Sequence, residues 1–165
     1  MPEKETLRRA RRDKREGKAP STQAGEFVRE EIDHIREGKH GARSTKQAIA
    51  IGLSKARRAG VNLKAPAKGK TSARTRRSAQ AALRRGRTKQ KPSARRSRAA
   101  ERALRREGRA AASPRALARQ AHASARKRGA RACSVAAKKA VATKGPRGRK
   151  MAARKAARTR ARRAR

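Results

Sequence analysis

The chain has 165 residues and a formal net charge of +42, from 53 Lys and Arg against 11 Asp and Glu. Its 34% apolar share is mostly alanine, with one Phe and no Trp or Tyr. Few large side chains are therefore available to offset a backbone ordering cost of about 1–2 kcal/mol per residue. The composition argues against a core running the whole length and against aromatic readers of single-stranded nucleic acid. No apolar run reaches the roughly 18 residues of a membrane span, so no membrane insertion is expected. Cys133 is the single cysteine, which excludes an intrachain disulfide and a Cys-based zinc site.

The charge is unevenly placed. Residues 1–40 carry 11 basic and 9 acidic side chains, and residues 41–62 carry five basic and none acidic. Residues 63–165 carry 37 basic side chains and two acidic ones, Glu101 and Glu107. Arg outnumbers Lys by 36 to 17. Arginine makes bidentate phosphate contacts and enters narrow minor grooves, so the bias favours nucleic acid over an anionic membrane.

The expected fold class is all-α, a small helical hairpin head followed by a long, largely disordered basic Ala/Arg/Lys tail with transient helices. Three segments follow from the composition: a charged lead at 1–19, the head at 20–62 and a low-complexity tail at 63–165. In the lead, Glu5/Arg9, Arg9/Asp13 and Arg12/Glu16 have i,i+4 spacing, which supports a marginal helix over about 3–16. A charged, unstructured lead is the equal alternative. Phe27, Val28, Ile32 and Ile35 follow a 3.6-residue period, and Gly38 suits a helix end, so a helix is expected over about 22–37. Its other face is acidic, with Glu26, Glu30, Asp33 and Glu37.

Ser44 and Gln47 form a capping-box pattern, Ile49 and Leu53 share a face, and Gly60-Val61 suits a Schellman end. The second helix of the head is thus about 45–59. Its basic surface is meant to face the acidic first helix. A head of about 40 residues is too small to fold readily alone. Dimerisation through the head, the partner itself or packing of residues 1–19 are the three ways to support it. In the tail, Ala and Arg favour short helices at 78–85, 94–107, 114–128 and 132–143. Gly86, Pro92, Gly108, Pro114, Gly129 and Gly145-Pro146 divide them.

Candidate binding residues follow from these elements. Lys39, His40, Arg43, Ser44 and Lys46 surround the N-terminus of the second head helix, where free backbone N–H groups suit a phosphate. Arg57 and Arg58 make its far end basic. Arg147-Gly148-Arg149, followed by Lys150, resembles the core of an AT-hook, and Arg85-Gly86-Arg87 is a weaker echo. Ser113-Pro114-Arg115 resembles a histone-tail turn. If the 35 net charges of the tail all met phosphate, they would cover roughly 60 Å of duplex at one charge per ~1.7 Å. His34, His40 and His122 are not expected to form a metal set, and His34 reads as a surface position. No catalytic constellation or cofactor cradle is found, so an enzyme is not expected.

The block GEFVREEIDHIREGKHGARSTKQAIAIGLSKARRAGV (25–61), with PSTQA before it, resembles a family of small basic proteobacterial proteins of unknown function. They are often labelled DNA-binding or plasmid-stabilisation proteins. The resemblance covers residues 1–65, and the tail is similar to bacterial histone H1-like proteins by composition. It implies a cytoplasmic, nucleoid-associated protein. The expected function is sequence-independent, architectural DNA binding with no cofactor. The alternatives are an RNA- or ribosome-associated basic protein, or a protein-interaction head localised by a basic tail.

Overall fold

The computed structural model describes residues 2–88 and 93–163, the last by its backbone alone; Pro92, expected to divide two helices, lies outside them. Among the described residues the secondary structure is entirely helical: α1 (Lys4–Arg15), α2 (Pro20–Arg36), α3 (Thr45–Arg58), α4 (Ala73–Thr88), α5 (Ala94–Arg105) and α6 (Pro114–Arg163), with a short 3-10 turn at Ala110–Ala112. The expected disordered tail is therefore corrected: the tail segments are helical. Ala and Arg are strong helix formers, and the backbone bonds of a helix need no apolar face to close. Breaks fall at Gly108, Gly129 and Gly145 as expected, but Gly86, also expected to divide two helices, lies inside α4, where its missing Cβ serves close helix approach instead. Within α6, Gly129 and Gly145 leave helical geometry.

Two compact units result, Met1–Gln120 and Ala121–Arg165. The expected head boundary at residue 62 thus falls inside the first unit. At its centre α2 packs on α3, with α1 against α2 and α4 against α3. The Ala110–Ala112 turn packs on both α2 and α3. One apolar cluster joins Ala10, Ala24, Phe27, Ala56 and Val61, and a second joins Ile32, Ile35, Ala42, Ala48, Ala111 and Ala112. Leu117, in the first turn of α6, packs on the second cluster. Phe27 and Ile35 are fully buried.

The hairpin's apolar faces are therefore covered within one chain, by α1 and by residues 110–117. Close helix approach compensates for the shortage of large side chains. A Cβ on Gly52 of α3 would stand 2.6 Å from Val28 Cα of α2. Backbones that close place alanines in dispersion contact that wider spacing would forfeit.

The local signals hold well. Ser44 Oγ accepts the Gln47 N–H at 3.2 Å, and Gln47 Oε1 accepts the Arg43 N–H at 2.8 Å. After α3, Gly60 takes φ 89° and the Val61 N–H bonds Ala56 O at 3.1 Å, a Schellman end with Val61 buried. Ser113 Oγ accepts the Ala116 N–H at 3.2 Å, so Ser113-Pro114 starts α6 as a cap and first residue. In α1 the expected Arg9–Glu5 pair forms at 2.6 Å, while Asp13 is taken by Lys18 at 2.7 Å.

The second unit is built differently. None of its described side chains is buried, and Val135, Val141 and Met151 are exposed. Thr143 and Thr159 hydroxyls donate to carbonyls one turn back, at 2.9 and 3.0 Å. No helix among the described residues is long and apolar enough to cross a membrane.

Candidate nucleic-acid interface

Four of the cations singled out in the sequence come together in the first unit. Arg57 and Arg58 end α3, and Arg85 and Arg87 lie near the end of α4. The two helices touch at Gly86, where a Cβ would collide with the Arg57 carbonyl, so only glycine allows this approach. A cleft of about 340 Å³ opens beside the contact, lined by Arg57, Val61, Asn62, Leu83, Gly86 and Arg87.

Arg57 is held in place rather than free. It is 7% exposed, and its Nε and Nη2 donate to the carbonyls of Leu63 and Lys64 at 3.1 and 3.3 Å. These bonds fold the chain after α3 back over its end. Burial lowers the Arg57 pKa from its ordinary value. Neighbouring protein atoms also desolvate Arg58 in part, though its side chain still reaches solvent, which lowers its pKa; the Arg85 charge adds to the effect while Glu31 opposes it. Both stay protonated in water, because guanidinium starts from so high a pKa.

No acidic residue lies between Glu37 and Glu101 in sequence. Among the described residues, no ion pair involves Arg57, Arg58, Arg85 or Arg87, and the carboxylates of α1 and α2 pair with other cations. Arg58, Arg85 and Arg87 are exposed. Like charges held this close attract an anion, and guanidinium groups in a polar-edged cleft suit phosphate.

The turn before α3 has another use. Gly41 and Ala42 N–H groups donate to Leu104 O and Gly108 O at 2.9 and 3.1 Å, and Thr45 Oγ1 donates to Ala111 O at 2.7 Å. Arg36 Nε reaches Ala112 O at 3.0 Å. This turn thus anchors residues 104–112 and is not a bare anion cradle. Lys39 is paired with Glu3 and Glu37 at 3.2 and 3.0 Å, and Glu37, then Glu3, hold its pKa above the ordinary lysine value. His40 Nε2 faces Glu31 Oε1 at 3.4 Å. Arg43, Ser44 and Lys46 remain exposed at the start of α3.

In the second unit, Arg147, Arg149 and Lys150 are exposed but lie in helical backbone. At about 100° per residue, Arg147 and Arg149 point roughly 200° apart, whereas an AT-hook needs an extended backbone lying flat in the groove. Arg85 and Arg87 are helical too, within α4. The hook geometry expected at both triplets is not what the chain adopts.

Sequence reasoning missed the inner charge network. Glu30 and Glu31 of α2 are 3% and 0% exposed, and Lys55 of α3 lies 3.3 and 2.7 Å from them. Glu30 Oε2 also accepts the Glu3 N–H at 3.1 Å. His34, expected at the surface, is mostly buried, with Nε2 2.8 Å from Glu3 Oε1. The i,i+4 acidic face gave a hint of Glu30, and Glu31 stood on the 3.6-residue period between Phe27 and Ile35, but its charge gave no reason to expect it buried there. Expecting charge complementarity between the head helices was sound, and a single lysine supplies it. Residues 14–69 match a family of unknown function (DUF6496), and that match carries no DNA-binding or plasmid-stabilisation label. No curated protein and no solved structure is similar to the chain at a significant level.

Proposed function

We infer that the chain binds double-stranded DNA without sequence specificity, as an architectural, nucleoid-associated protein of the bacterial cytoplasm. One observation carries this reading. Among the described residues, every carboxylate of the first unit except Glu107 pairs with a cation inside it, and none of those ion pairs involves Arg57, Arg58, Arg85 or Arg87. The second unit adds 17 basic and no acidic side chains, with none of those described buried. Cations that the fold does not neutralise seek external phosphate, and releasing condensed counterions drives the binding. The exposed arginines at the α3–α4 contact, Arg87 in the cleft with Arg58 and Arg85 on the same helix ends, fix a phosphate at one place, and the helices of the second unit add charge along the backbone.

The test is competition between duplex DNA and structured RNA at about 0.2 M salt, where nonspecific binding is weakened but still measurable. DNA preference or parity supports the reading. Clear RNA preference moves the protein to the RNA- and ribosome-associated class.

A further inference from the structure

Glu31, His34 and His40 form a cluster that the phosphate chemistry leaves unexplained. Each offers one ligand atom, and these atoms lie within 4.8 Å of one another. Glu31 and His34 are three residues apart on α2, so they share a helix face. His40 arrives from the turn after α2, its ring centroid 6.0 Å from that of His34 and its plane at 89° to it.

The protons are the telling feature. His40 Nδ1 lies 3.1 Å from Gly41 O, a carbonyl that only accepts, so Nδ1 carries the proton. In the neutral ring, Nε2 then holds a lone pair, and it faces Glu31 Oε1 at 3.4 Å. With the ring neutral, two acceptors face each other across that gap, an arrangement that a cation between them would satisfy. Glu31 is fully buried, and neither of its oxygens has an aligned hydrogen-bond donor. Lys55 Nζ, 2.7 Å from Oε2, supplies charge on that side and leaves Oε1 toward the histidines.

A tetrahedral ion with bonds of about 2.0–2.2 Å has ligand–ligand edges of about 3.3–3.6 Å. The His40–Glu31 separation of 3.4 Å already matches, and the other pairs lie within 4.8 Å. His34 is itself held by Glu3, whose carboxylate lies 2.8 Å from Nε2. Metal-binding histidines are commonly oriented by such a carboxylate, and by a backbone carbonyl of the kind His40 has in Gly41.

The geometry points to a site for one divalent ion of the zinc class on Glu31, His34 and His40, with Glu3 as a positioning residue. Two imidazoles and a carboxylate are a donor set suited to zinc, and three protein ligands leave one position for water. The ion ties α2 to the turn that anchors residues 104–112.

The test is titration of metal-free, full-length protein with Zn²⁺ by calorimetry, and with Co²⁺ by visible absorption. Expected are one saturable equivalent of Zn²⁺ and the intense d–d bands of tetrahedral Co²⁺. His34→Ala and His40→Ala should each weaken binding about 100-fold or more, with helicity followed by circular dichroism. Glu3→Gln should weaken it about 10–100-fold, as loss of an orienting partner does. His122→Ala and Cys133→Ser should leave it unchanged. The wild-type titration decides even if a variant fails to fold. Absence of a saturable equivalent, or an equivalent that survives His40→Ala or disappears with Cys133→Ser, overturns the site.

Discussion

The two units of this chain use the same few residue types to opposite ends. In the first, alanine is buried: Ala24, Ala48, Ala56 and Ala112 are all 0% exposed, around Phe27 and Ile35. Acids there are abundant enough to pair with cations, and Glu30 and Glu31 are covered by Lys55. In the second, alanine spaces arginines along exposed helices with no acid at all. Alanine therefore serves as core where helices approach closely and as helix former where they do not. A count of apolar residues cannot distinguish the two uses.

The difference can be broken by mutation. The largest effect is expected at Phe27→Ala, which should cost about 3–5 kcal/mol by urea unfolding followed by circular dichroism. A loss below about 1 kcal/mol would mean that the first unit lacks the core described. Next, Gly86→Ala drives a Cβ into the Arg57 carbonyl and should cost about 1–3 kcal/mol through overpacking. The same variant should weaken duplex binding, because it separates Arg85 and Arg87 from Arg57 and Arg58. Full stability and affinity together would dissolve the cleft as a unit.

Thr45→Val removes the buried hydroxyl that bonds Ala111 O and should cost about 1–2 kcal/mol by the same unfolding measurement. That outcome reports whether residues 104–112 belong to the folded unit. The smallest effect is expected at Val135→Ala in the second unit, within about 0.5 kcal/mol, as for a surface change away from special features. A loss as large as that of Phe27→Ala would show a buried core in the second unit and erase the contrast.

Much of the first unit was legible in the sequence. The 3.6-residue period over Phe27 to Ile35, the Ser44–Gln47 box and the Gly60-Val61 end placed α2 and α3 within two residues. The division of α6 at Gly129 and Gly145 was legible from glycine alone. Three things were not. Ala111 and Ala112 cover α2 and α3, but alanine carries too little hydrophobic signal to mark a docking segment. The persistence of the basic helices was underestimated, because repulsion was weighed above the helix propensity of Ala and Arg. Arg57, Arg58, Arg85 and Arg87 were each identified, yet nothing local showed that Gly86 lets two helices bring them together. Glu31, His34 and His40 stayed hidden for a related reason: the ligating set needs a turn folded back on its own helix.

Phosphate neutralisation by both units is tested most directly by the salt dependence of duplex binding, measured for the full chain, for a chain ending at Gln120 and for the Arg58→Ala/Arg85→Ala/Arg87→Ala variant. Log K should fall steeply with log salt in the full chain, by about 0.9 per phosphate contacted. The slope should become shallower without the second unit but remain clearly negative. It should lose about one unit for each of the three arginines that meets phosphate. A flat slope in the full chain, or one unchanged by removing the second unit and the three arginines, would contradict phosphate neutralisation as the basis of binding.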